Sequence, residues 1–246
     1  MISATIITLN EQDSIGKVIE SLKGLVSEII VVDSGSNDQT APIAKKFGAK
    51  VFIRKFDNFA NQKNFAVSKA TRDWILSLDA DEEIAPALTE EIKQAVKSDK
   101  FSGYLIPRKN IILGKLIKYS RWSPDLHVWL WKKNCGRWIG DVHEEVIVTG
   151  KVGLLKNSKI HNSHKTVSSF IKANNFYSTL EAQSLLKNKI KFSFLKMLMD
   201  PFFEFLIRFV YKKGFLDGSR GFVLAYLMSI YKLAVWIKFW ELEKKR

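Results

Sequence analysis

The sequence predicts an α/β fold organised on a mostly parallel, Rossmann-like sheet, and three observations carry that expectation. Over the first hundred residues, apolar runs of strand length alternate with segments whose apolar residues recur at helical spacing. The connections are short, in keeping with right-handed crossovers between parallel strands. Three of the apolar runs stop at acids or amides, and in open α/β sheets ligands bind beyond the carboxyl ends of the strands. A nucleotide-binding domain is the first expectation.

Residues 2–9 (ISATIITL) read as the first strand, and Ile15, Val18, Ile19 and Leu22 mark a helix that Gly24 stops. Residues 29–32 form a second strand ending at Asp33; the loop SGSND follows, then a helix over 41–47 closed by Gly48. A short strand at 51–53 and a helix over 61–69 lead to the apolar run that begins at Trp74 and ends in Asp79-Ala80-Asp81-Glu82-Glu83. A helix over 88–96 comes next. From 103 to about 160 the texture changes to strands rich in aromatic and basic residues, punctuated by Gly114, Gly136, Gly140 and Gly150. From 167 onward the pattern is helical.

A chain of 246 residues has room for one large domain, or one domain with an appendage. Its single cysteine, Cys135, excludes an intrachain disulfide framework and predicts a reducing compartment. Met1 leads straight into an apolar run with no basic leader, so no secretory signal is expected. The net charge of +14 is uneven: +2 over residues 1–150 and +12 over 151–246. A basic half implies a polyanionic partner, either nucleic acid or anionic lipid headgroups.

The basic half is also strongly apolar. In FLKMLMDPFFEFLIRFVYKK, Lys196, Asp200, Glu204, Arg208 and Lys212 recur every fourth residue, a narrow polar stripe along a wide apolar surface. Asp200-Pro201 could restart a helix there as N-cap and first-turn residue. Residues 222–240 are apolar except for Ser229, Lys232 and Lys238, and the two lysines make a bilayer span expensive. A helix pair lying on an anionic membrane, with Tyr231, Trp236 and Trp240 at the interface, fits better. Packing within the chain, or in a homo-oligomer, is the other way to cover these faces.

Four polar motifs fall in the α/β part. Asp79 and Asp81 are two apart, so in an extended chain they share a side and could grip one hard cation, although acids also open helices. Thr8-Leu9-Asn10-Glu11 either binds a ligand or caps the next helix. Val32-Asp33 with SGSND is a strand-end acid and turn, with Asp38 as a further helix cap. Asn61-Gln62-Lys63-Asn64 brings a lysine to a diphosphate or lies on a solvated helix face. Three of the four end strands on one side of one sheet, which unrelated structural roles do not require.

The order TLNE, VVDSGSND, QKN, LDADEE, WSPD and DVHEEV resembles the family 2 glycosyltransferases of GT-A fold, most closely the WaaE/KdtX-like lipopolysaccharide core β-glucosyltransferases. The resemblance extends into the tail, FYSTLEAQ and KKGFLDGSRGFVLA. It implies a GT-A catalytic domain over 1–165, with a donor half at 1–100 and an acceptor half at 101–165, and a basic helical extension over 166–246. By the same resemblance Thr8, Asn10, Glu11 and Asp33 line the nucleoside pocket and Lys63 lies near the base or diphosphate. Asp79 and Asp81 hold the nucleotide sugar, Asp81 through a divalent metal, Mg²⁺ or Mn²⁺. His161 takes the place of a late histidine near that metal, with His164 in HNSHKT as the alternative.

Glycosyl transfer needs charge stabilisation on the departing diphosphate and a base for the acceptor hydroxyl on the opposite face of the sugar. The resemblance makes Glu144 that base, giving inversion. Glu145 is the alternative, since neighbours on a strand face opposite ways, and His143 orients the base or touches the acceptor. Trp122 and Asp125 in the aromatic-basic region are the expected acceptor-binding residues. The expected function is transfer of a hexose, glucose first, from a UDP-sugar to a lipid-linked or lipopolysaccharide inner-core acceptor. The expected place is the cytoplasmic face of the plasma membrane, with peripheral attachment and no nucleic-acid partner. A nucleotidyltransferase would share the fold, but TLNEQDS lacks a glycine-rich basic loop. A nucleic-acid-binding protein would explain the charge but not paired acids at a strand end.

Overall fold

The structure is a computed structural model that describes residues 1–140 and 144–245. Along the chain it forms β1 (Ile2–Thr8), α1 (Ile15–Ser21), β2 (Glu28–Asp33), α2 (Thr40–Lys46), β3 (Lys50–Ile53), α3 (Phe59–Lys69) and β4 (Trp74–Asp79). There follow β5 (Glu82–Glu83), α4 (Pro86–Ser98), β6 (Gly103–Ile112), β7 (Lys115–Leu116), β8 (Leu126–Lys132), β9 (Gly136–Ile139), β10 (Glu145–Val148), β11 (Val152–Leu154) and β12 (Lys159–His161). Three long helices close the chain: α5 (Val167–Lys187), α6 (Phe194–Leu206) and α7 (Ser219–Lys244). Two compact units result: Met1–Lys109 with Leu126–His161, and Asn110–Asp125 with Asn162–Arg246.

The main sheet path in the first unit runs β3-β2-β1-β4-β8-β6-β12-β5. The first four strands are parallel, as their sequences dictate: β1 and β4 are almost wholly buried along their length, which only a sheet covered on both faces allows. The segment whose texture changes after residue 103 supplies the antiparallel half. There β8 pairs antiparallel with both β4 and β6, and β5 with β12. The sheet is therefore mixed, with its parallel half on the nucleotide-binding pattern.

Register places the strand-end acids. β1 lies between β2 and β4, with Thr8 opposite Asp33 on one side and Ile7 opposite Asp79 on the other. The acids after Asp79 do not open a helix: Glu82 and Glu83 form β5, and α4 starts at Pro86 with no acid in its first turn. Asn58 caps α3, its side chain accepting from the Asn61 N–H, and this fixes the direction in which Gln62, Lys63 and Asn64 leave the helix.

In the second unit α5 begins with a capping box between Thr166 and Ser169. Asp200-Pro201 does not restart a helix. Ser193 caps α6, which runs through Pro201 to Leu206, and Asp200 instead accepts the Trp236 indole N–H at 2.9 Å. A π-helical turn over Ile207–Tyr211 follows. Gly221 is required by close approach, because a Cβ there would sit 1.8 Å from the Gly214 carbonyl oxygen. Of the polar stripe, Glu204 of α6 and Arg208 of the π-helical turn are buried and paired while Lys196 and Lys212 are exposed, and Phe194, Leu195, Leu198, Phe202 and Phe203 of α6 are exposed as well.

Glu28, at the start of β2, holds the lower edge of the parallel half together. Its buried carboxylate accepts from the Ser3 hydroxyl (2.7 Å), the Lys50 ammonium (2.8 Å) and the Thr71 N–H (2.8 Å). Burial alone would raise its pKa, but the hydrogen bonds from Lys50, Ser3 and Thr71 overcome it and hold the pKa at about 2. A depressed carboxyl stabilises the fold above its unfolded pKa near 4.5 and loses that contribution as pH falls towards 2. Urea melts of Glu28→Gln should show a loss of about 2–3 kcal/mol at pH 7 that shrinks between pH 4.5 and 2.

Candidate active site

At the carboxyl ends of β1 and β2 the loops TLNEQ and SGSND are hydrogen-bonded to each other. The Asn10 N–H donates to Ser36 Oγ (2.8 Å), the Asn37 N–H to Asn10 Oδ1 (3.0 Å), and the Glu11 N–H to Thr40 Oγ1 (2.8 Å). Glu11 also accepts from the Ser14 hydroxyl at the start of α1. Asn10 and Glu11 thus take part in building the rim. Beneath it Asp33 Oδ1 accepts the N–H groups of Gly35 and Ser36. Asp33 Oδ2 and Thr8 Oγ1 are buried with no hydrogen-bond partner among the described residues. Both atoms sit on paired strand ends, where open α/β sheets bind their ligands.

The centre of the site is Lys63. Its ammonium, 4% exposed, lies 3.1 Å from Asp79 Oδ1 and 2.8 Å from Glu144 Oε1. It also lies 4.4 Å from the centroid of the Trp138 ring and 5.3 Å from that of Trp129. Burial works against the charge, yet the two carboxylates outweigh it and raise its pKa above the ordinary lysine value. Asp79 is held well below the usual carboxylate range: burial opposes ionisation, while Lys63, Lys159 and Arg108 enforce it.

The residues on either side of Lys63 explain QKN as one device. Successive helical residues point about 100° apart, so three in a row reach three directions. Gln62, fully buried, bonds Ser34 in the loop after β2 and both the side chain and carbonyl of Arg54 after β3. Asn64 clamps the backbone of Trp138 on β9 with two bonds, 2.9 and 3.0 Å. β9 pairs with β10, and the connection between them leads to Glu144. One turn of α3 therefore ties together the Ser34 loop, the Asp79 strand end and the Glu144 segment.

Below the acids lies a layer that the sequence reading missed. Glu82, fully buried, accepts from Lys159, from Arg108 (3.2 Å) and from the backbone N–H of Asp79 (2.9 Å). Lys159 sits 3.1 Å over the centroid of Trp129, and burial lowers its pKa to about 8 against the pull of Glu82. The available signal was strand period: Lys159 and His161 alternate with Ile160, so both face the acids of the β4–β5 segment.

His161 Nε2 is 3.2 Å from Asp81 Oδ2. Burial disfavours its imidazolium, but Asp81 outweighs burial and raises its pKa. His164 instead packs on the Phe170 ring in the second unit, 4.9 Å between centroids. Glu144 is brought into the cluster, whereas Glu145 opens β10 with its side chain exposed. His143 lies outside the described residues. Trp122 and Asp125 belong to the second unit: the Asn110 amide donates to the Trp122 carbonyl and to Asp125 Oδ2, and the Trp122 ring packs on Phe170 and beneath Arg208. Trp129, Trp131 and Trp138 are core.

No group of three or more His, Cys, Asp and Glu side chains among the described residues could hold a metal alone. Asp81 and His161 are the described side chains that would hold a divalent ion here, one as an oxygen and one as a nitrogen donor.

A mixed sheet with nucleotide-site acids at its parallel strand ends defines the class: a GT-A fold, the architecture of nucleotide-sugar-dependent transferases. The family model for glycosyl transferase family 2 matches residues 3–152, and the chain belongs to that family. An uncharacterised glycosyltransferase of Rickettsia typhi is 32% identical to it over 99% of this chain and 88% of the relative. The lipopolysaccharide core biosynthesis glycosyltransferase LpsC of Rhizobium meliloti is 29% identical over 98% of this chain and 92% of its own length. Glucosyl-3-phosphoglycerate synthase from Mycobacterium tuberculosis, crystallised with Mn²⁺, UDP and phosphoglyceric acid, shares the fold at a TM-score of 0.50. It is 17% identical, over 78% of this chain and 80% of that one.

Removing the shared cation should leave the partly buried carboxylates of Asp79 and Glu144 facing one another. Chemical denaturation of Lys63→Met should show a loss of about 3 kcal/mol, partly recovered in the double variant Lys63→Met/Asp79→Asn.

Proposed function

We propose that this chain is an inverting, divalent-metal-dependent glycosyltransferase that moves a hexose, glucose in the first instance, from UDP to a lipopolysaccharide inner-core or other lipid-linked acceptor. The observation that carries the proposal is the Lys63 bridge, which holds a strand-end acid and a second carboxylate within reach of one ammonium. The orphaned oxygens of Asp33 and Thr8 support a nucleoside subsite beside it. Similarity to LpsC supports a lipopolysaccharide-type acceptor.

In this reading Thr8 and Asp33 take the base and ribose, and Asp79 and Asp81 face the diphosphate end. Asp81 and His161 would hold Mg²⁺ or Mn²⁺, which when bound neutralises charge gathering on the leaving diphosphate. Glu144, oriented by Lys63, takes the proton of the acceptor hydroxyl. The acceptor oxygen then bonds to the anomeric carbon as the bond to the diphosphate oxygen breaks and its electron pair leaves with UDP. Attack from the face opposite the leaving group inverts the anomeric centre. With UDP-glucose and a core oligosaccharide acceptor, Asp81→Ala and Glu144→Gln should each lower kcat by at least about a hundredfold. Full activity in both would sink the mechanism.

The second unit supports work at a membrane. α6 exposes Phe202 and Phe203 while burying Glu204, and the chain from residue 151 carries +12. α7 is long and apolar enough to cross a bilayer, with a third of its apolar window buried, but the exposed α6 face and the lysines favour an interfacial position at the cytoplasmic leaflet. Flotation with vesicles containing anionic lipid at physiological salt should recover the protein with the lipid. The double variant Phe202→Asp/Phe203→Asp should stay in the soluble fraction.

A further inference from the structure

We propose that Arg108 on β6 is a donor-site residue that binds the diphosphate of the nucleotide sugar and stabilises it as it leaves. The inference rests on the UDP-sugar reading above and adds to it a group that neither the sequence motifs nor the metal acids include. The juxtaposition that carries it is a guanidinium held 3.9 Å from Asp79 Oδ2 by the fully buried Glu82.

Three basic side chains surround the Trp129 ring: Lys63 at 5.3 Å, Arg108 at 5.6 Å and Lys159 at 3.1 Å from its centroid. They are not equivalent. Lys63 is 4% exposed and fixed between two carboxylates, and Lys159 is wholly buried on Glu82. Neither presents its charge to solvent. Arg108 keeps 19% of its side chain exposed, beside the partly exposed acids Asp79 and Asp81. Its charge depresses both of their pKa values, behind His161 at Asp81 and behind the two lysines at Asp79. It is the permanent cation of this cluster that an incoming diphosphate meets.

The support behind Arg108 is what preorganised recognition requires. One oxygen of Glu82 takes Arg108, the other takes Lys159 and the Asp79 N–H, so the arginine and the aspartate strand end share one anchor. A planar guanidinium offers forked donors that match phosphate oxygens, where an ammonium offers a point charge. When the anomeric C–O bond breaks and its electron pair goes to the diphosphate, Arg108 meets the growing negative charge. It neither gains nor loses a proton, and the acceptor's proton goes to Glu144.

The test measures binding of UDP and of uridine to full-length wild type, Arg108→Gln and Arg108→Lys, by calorimetry, with Mn²⁺ and again with EDTA. Arg108→Gln is expected to weaken UDP at least about tenfold, with and without metal, and to leave uridine within about twofold of wild type. Arg108→Lys should fall between the two, losing the fork but keeping the charge. In transfer assays kcat of Arg108→Gln should drop by about a hundredfold. Equal loss of UDP and uridine would mean that Arg108 only supports the fold, and a loss confined to Mn²⁺ would mean that it acts through the metal; either overturns the proposal, as does unchanged UDP binding. A wild-type chain that ignores UDP would overturn the donor reading itself, and with it this inference.

Discussion

A buried ammonium with two carboxylates is the constraint from which the first unit's site is built. Lys63 cannot lose its proton without leaving Asp79 and Glu144 uncompensated, and neither acid can move away without stranding the lysine. Three segments distant in sequence are thereby locked to one point: helix α3, the end of β4, and the stretch leading into β10. Such a pair adds little to net stability compared with an apolar core, but it fixes which side chains meet. Gln62 and Asn64 extend the same logic to the loop after β2 and to β9. A site assembled on a helix and on strand ends is also held more rigidly than one assembled on loops.

Beneath this bridge lies a second ionic layer. Glu82 is fully buried and serves Arg108, Lys159 and the backbone of Asp79 at once, while Trp129 presents a ring to the cations on its faces. In low dielectric each of these charges would be costly alone, and each is tolerated because several groups of opposite sign reach it. Burial, with Arg108 beside it, lowers the pKa of Lys159 against the pull of Glu82, whereas Asp79 and Glu144 raise that of Lys63 despite burial. The upper bridge meets the ligand space, and the lower layer fixes the angle of the strand end that carries it.

The parallel half of the sheet was legible because its strands are buried on both faces and leave unbroken apolar runs. Asp33 and Asp79 were legible because such runs stop at them. The antiparallel half was read only as strand-like texture, because β8 and β6 mix buried and exposed positions and leave no unbroken apolar run. QKN looked like a solvated helix face because an amide-lysine-amide run is usually one, and burial of Gln62 and Lys63 depends on strands far away in sequence. Glu82 carried no signal of its own for the same reason: its partners, Arg108 and Lys159, come 26 and 77 residues later. That Glu144 enters the Lys63 cluster while Glu145 is exposed becomes visible only with β10 placed. Asp200-Pro201 misled because a capping pair is a local signal, and here Trp236 claims the aspartate while the helix continues.

The arrangement of α6 changes what stability means for the second unit. A helix that buries Glu204 and shows Phe202 and Phe203 to the outside is inverted relative to a water-soluble amphipathic helix. Its folding free energy has no single value, because each outward ring is a liability in water and an asset in hydrocarbon. The first unit, with its apolar residues inside the sheet layers, is indifferent to that choice of phase. The two units thus differ in how much apolar surface they leave outside.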